Sequence, residues 1–150
     1  VREVDMTYLL WLATASGAAP DPEAFDRVVR ALSARDPVSC ETVEALSPTP
    51  AATLLEVVDK VEMPPWAPMI AARCLLAHFP ADVQPRLSTW VTDPALAGFG
   101  RLTLDALDQL PVEVAVSTAR AALSGSDPAH AKKRIAASAR PEVRALAESK

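Results

Sequence analysis

Aromatic side chains are scarce in this chain, at 5% of the residues, which argues against a sheet, where rings and β-branched residues predominate. Twenty-nine alanines are present instead, and small, helix-favouring side chains suit helices that approach closely. Cysteine is also rare: Cys40 and Cys74 are too few for a disulfide framework and cannot alone complete a tetrahedral zinc site. Both read as packing residues in a reducing, cytoplasmic setting. No apolar run approaches the ~18 residues of a membrane span, so no membrane partner is expected. Excess positive charge is lacking too. Nineteen acidic against fifteen basic residues give a formal charge of −4, the wrong sign for nucleic-acid binding over the whole surface.

Half of the 150 residues are apolar, enough for one domain spanning residues 1–150 with a substantial core. Near the start, Tyr8, Leu9, Leu10, Trp11 and Leu12 precede Ala13-Thr14-Ala15, which looks like a secretory cleavage site. Against that reading, Arg2 is offset by Glu3 and Asp5, and the apolar run is shorter than the ~7–15 residues of a signal core. A chain beginning at Val1 also reads as a processed or excised piece.

Fourteen prolines would be costly if scattered through helix interiors, but they are ordered. Asp21-Pro22, Asp36-Pro37, Asp93-Pro94 and Asp127-Pro128 each set a capping carboxylate before a proline suited to the first helical position. Pro48, Pro80, Pro111 and Pro141 follow apolar or alanine-rich stretches and separate one helix from the next. Together these marks repeat about every thirty residues. Four units result, with first helices at about 22–34, 50–62, 80–92 and 111–124, and second helices at about 37–46, 65–79, 94–109 and 128–139. Helices near 4–15 and 141–149 bracket the array. Leu55, Val58, Leu76, Leu87, Leu107 and Leu110 are the expected core.

Within the second helices, Arg73, Arg101 and Arg134 hold comparable positions, and Glu41 takes that place in the first unit. The stretch from Asp93-Pro94 through Arg101 to Ala106-Leu107 resembles the second helix of a HEAT repeat, and Arg140-Pro141-Glu142-Val143-Arg144-Ala145-Leu146 resembles the same motif. The resemblance covers about residues 20–147, and Pro68 and Pro85 depart from it as expected helix interruptions. It implies an all-α, right-handed α-solenoid of about four helix-turn-helix repeats with terminal capping helices. It also implies a concave binding face lined by the second helices.

Little here points to chemistry. His78 and His130 are the only near-neutral proton carriers, and neither has a metal-binding partner one helical turn away. Glu41 with Glu44, and Asp105 with Asp108, read as solvated or partner-facing acidic edges. Gly98-Phe99-Gly100 inside an expected helix is unusual, because two glycines each cost ~1 kcal/mol there. Close approach of a neighbouring helix is its leading explanation, and a kink or groove beside Phe99 the second. In Met63-Pro64-Pro65-Trp66-Ala67-Pro68-Met69, Trp66 either plugs the seam between units or offers a docking point.

Residues 1–110 carry a balance of −7 and residues 111–150 one of +3, with Lys132, Lys133, Arg134, Arg140 and Arg144 forming the basic end. The sequence therefore reads as a non-enzymatic scaffold that needs no cofactor or metal and holds a protein or peptide on its concave face. Trp66, Arg73, Phe99, Arg101, Asp105, Lys133 and Arg134 are the candidate contacts. Two alternatives stand beside it: nucleic-acid binding by the basic end, and an accessory enzyme with a site near Phe99, Arg101 and Asp105. The three equivalent arginines either tie units together through carboxylates such as Asp105, Asp108 or Glu41, or stay free to grip a partner's carboxylate.

Overall fold

Proline and a preceding cap set most helix starts in the computed structural model, which describes residues 21–36 and 38–148. In α1 (Pro22–Ser33) the Asp21 carboxylate accepts the Glu23 N–H, and Ala24, Val28 and Leu32 at four-residue spacing form the buried stripe. Proline also opens α3 (Pro50–Lys60), α5 (Pro80–Thr92), α8 (Pro128–Ala136) and α9 (Pro141–Glu148). Pro111 stands immediately before α7 (Val112–Leu123). Asp127 caps α8 through the His130 N–H. The remaining helices are α2 (Cys40–Glu44), α4 (Trp66–His78) and α6 (Ala97–Asp105). Two 3₁₀ turns flank α6, Pro94–Leu96 and Leu107–Gln109. The fold is all-helical, with no strand among the described residues.

Three local expectations are corrected. α2 does not start at Asp36-Pro37: Ser39 accepts the Thr42 N–H and takes over the cap, leaving a five-residue helix. Pro68 and Pro85 do not interrupt their helices. Pro68 falls in the first turn of α4, whose N–H groups have no intrahelical acceptor anyway, and α5 runs unbroken through Pro85. The span 94–109, expected as one helix, is instead divided into a 3₁₀ turn, α6 and a second 3₁₀ turn. The expected helix at 4–15 lies outside the described residues.

The helices α1, α3, α5, α7 and α9 pack on one another in chain order, and α4, α6 and α8 do so beside them. Each pair, α1/α2 through α7/α8, thus rests on the next pair, and among the described residues no substantial contact joins pairs that are not neighbours. One apolar cluster runs through the stack from Val28 and Leu32 past Leu54, Leu75 and Leu87 to Ile135 and Val143. Full burial of each large aliphatic side chain contributes about 2 kcal/mol. Of the expected core, Leu76, Leu87, Leu107 and Leu110 are buried, while Leu55 and Val58 are only partly covered. Two buried threonine hydroxyls are satisfied locally: Thr103 donates to the Phe99 carbonyl at 2.8 Å, and Thr53 bonds both Ser47 and the Thr49 carbonyl.

Gly100 explains the paired glycines. A Cβ there would stand 2.5 Å from the Trp90 carbonyl oxygen and 3.4 Å from the Val91 Cα, so α6 approaches the backbone of α5 more closely than any side chain permits. That contact also brings Phe99 onto Trp90, with ring centroids 5.0 Å apart in a stacked arrangement.

Candidate functional site

Side-chain links join α2 to α4 and α6 to α8. Between α2 and α4, Cys40 and Cys74 form a disulfide with Cα atoms 5.4 Å apart. One turn further along both helices, His78 meets Glu44 through Nδ1 and lies 3.7 Å from Glu41 through Nε2. Between α6 and α8, Arg134 pairs with Asp105. The Asp108 carboxylate on the turn after α6 accepts the Ser138 hydroxyl and, at 3.0 Å, the Ala139 N–H. These two donors, chiefly the Ser138 hydroxyl, hold the Asp108 carboxyl below its ordinary pKa, and Arg140 and Arg144 add to the effect.

The middle seam differs. Among the described residues no ion pair or side-chain hydrogen bond joins α4 to α6. A cleft of about 250 Å³ opens there instead. Leu76, Leu102 and Ala106 form its apolar part, while Arg73 stands on one side and Asp105 and Gln109 on the other. Arg73 is exposed and has no hydrogen bond or ion pair among the described residues.

The equivalent arginines therefore have unlike fates. Arg134 joins α8 to α6 through Asp105. Arg73 faces the cleft, and Arg101 lines a small separate cavity of about 50 Å³ with Asp127, His130 and Gly100. Phe99 borders a third depression, beside Trp90 and the Asp59–Arg86 ion pair that joins α3 to α5. Asp59 is also what raises the pKa of the Arg86 guanidinium. Phe99, Arg101 and Asp105 thus line three different hollows and do not converge on one.

Trp66 does not plug a seam: it opens α4 with 47% of its surface exposed, next to Met63 at 77%. Lys132 and Lys133 are exposed on α8. The rest of the basic end is engaged in the fold. Arg140 donates to the Leu107 and Leu110 carbonyls, and Arg144 to those of Ser138 and Ala139, satisfying acceptors left open where helical segments end. The cysteines, read as free packing residues, are instead paired. Their separation of 34 residues, close to the spacing of the proline marks, was the available sign. No such sign marked the pairing of His78 with Glu44 or of Asp108 with Ser138.

No group of three or more metal-ligating side chains gathers among the described residues, and no described helix is long and apolar enough to cross a membrane. Compared with known proteins, the chain matches no family, no curated protein and no solved structure.

Proposed function

We propose that this chain is a short, right-handed α-solenoid of HEAT-like helix pairs, acting as a non-enzymatic scaffold that binds a protein segment or peptide across its second helices. The carrying observation is the untied α4/α6 seam, where an open apolar cleft edged by Arg73, Asp105 and Gln109 stands between two seams closed by covalent or ionic links. Packing of each helix pair on the next supports the repeat reading. Of the alternatives, the nucleic-acid reading is weakened by the internal use of Arg134, Arg140 and Arg144, which among the described residues interrupts the track of free cations at that end. The enzyme reading is weakened by the dispersal of Phe99, Arg101 and Asp105. The disulfide favours an oxidising setting over the reducing cytoplasm expected from the cysteine count.

The test is selection of peptides from a displayed random library on the oxidised chain, followed by rebinding to the Gln109→Trp variant. Gln109 is exposed on the cleft edge, so a bulky ring there obstructs the cleft without entering the core. Selected peptides should bind the parent and lose binding to the variant, whose circular dichroism should be unchanged. Peptides that bind both proteins equally, or an empty selection, would overturn the reading.

A further inference from the structure

We propose that the α4/α6 cleft takes an acidic peptide, with Arg73 holding a side-chain carboxylate and an aliphatic neighbour seated on Leu76, Leu102 and Ala106; this rests on the scaffold reading above.

The unmatched charge within the cleft favours that occupant over a basic peptide. The cleft is lined by one cation, Arg73, and one carboxylate, Asp105, with Asp108 on the turn that follows α6. Both carboxylates already have donors, Asp105 from Arg134 and Asp108 from Ser138 and Ala139. Arg73, in contrast, lines the cleft and forms no ion pair or hydrogen bond among the described residues. A planar fork of N–H donors is matched by a carboxylate in two parallel hydrogen bonds. The cation beside an apolar floor calls for an acid next to an aliphatic side chain. Among the described residues of the cleft a basic peptide would find Asp105, which it would have to share with Arg134. A nucleic acid would satisfy the guanidinium but leave the apolar floor unused, and among the described residues there are no exposed rings in the cleft on which bases could stack.

The decisive measurement is fluorescence anisotropy of short labelled peptides alternating glutamate with leucine, or lysine with leucine, and of a labelled duplex DNA. Each is titrated with the oxidised parent, Arg73→Ala, Arg73→Glu and Gln109→Trp. The glutamate peptide should bind the parent at least about tenfold tighter than the lysine peptide, as loss of one charge-assisted hydrogen-bond pair implies. Arg73→Ala should remove that preference, and Arg73→Glu should reverse it. Equal binding of both peptides, still abolished by Gln109→Trp, overturns the acidic-peptide inference and leaves the scaffold reading standing. Binding of neither peptide overturns the inference, while peptides from the random library that depend on Gln109 would still uphold the scaffold. DNA binding that falls with Arg73→Ala as steeply as peptide binding overturns the inference in favour of a polyanion surface.

Discussion

Removing the Cys40–Cys74 bond should cost this small domain a large part of its stability. The bond closes 34 residues of sequence, and the chain entropy withheld from the unfolded state by a loop of that length corresponds to about 3.8 kcal/mol. What it fastens is weakly held otherwise. α2 has five residues, of which Val43 alone is buried, and its remaining cross-seam ties are the contacts of Glu41 and Glu44 with His78. With an unfolding entropy of ~2.1 cal/mol/K per residue, that free energy becomes a fall in Tm of about 12 °C. Thermal melts followed by circular dichroism, with and without a phosphine reductant, should show this drop in the parent. The Cys40→Ala/Cys74→Ala double variant should melt near the reduced parent and ignore the reductant. Hydrogen exchange in the reduced protein should rise first across α2, the part least supported by buried contacts. A reduced parent that melts within about 2 °C of the oxidised one, with thiol alkylation proving that reduction occurred, would refute the reasoning.

Gly100→Ala should lower Tm although alanine is the better helix former by about 1 kcal/mol, because the added methyl meets the Trp90 carbonyl, a backbone group that cannot swing aside. Overpacking of this kind costs about 1–3 kcal/mol, so a raised Tm would mean that α5 and α6 are further apart than described. For Asp108, the folded pKa is below the unfolded one, so its contribution is fully present above the unfolded carboxylate pKa and lost as pH falls through the lowered folded value. Urea midpoints measured from about pH 5 down to pH 2 should therefore fall less steeply for Asp108→Asn than for the parent, and parallel curves would contradict the role given to Ser138 and Ala139.

What the sequence made legible is what acts over one or two helical turns. Asp21, Asp93 and Asp127 cap where aspartate-proline steps predicted, and Pro80 and Pro141 open the helices they precede. Both depend on neighbouring backbone and need no knowledge of packing. The seams were not legible, since His78 with Glu44 and Ser138 with Asp108 are brought together from 34 and 30 residues apart by the angle between helices. The arginines show how small a local change defeats a register argument. Arg101 was placed with Arg73 and Arg134 by counting back from the prolines at 80, 111 and 141, seven, ten and seven residues further on, which assumes that the chain winds alike between arginine and proline in all three. Residues Leu107–Gln109, between Arg101 and Pro111, instead form a 3₁₀ turn. At three residues per turn against 3.6, those three residues advance the helix face by roughly 60° beyond an α-helical path. A register counted across such a turn need not hold, and Arg101 lines the cavity by Asp127 and His130 while Arg73, unpaired among the described residues, lines the α4/α6 cleft.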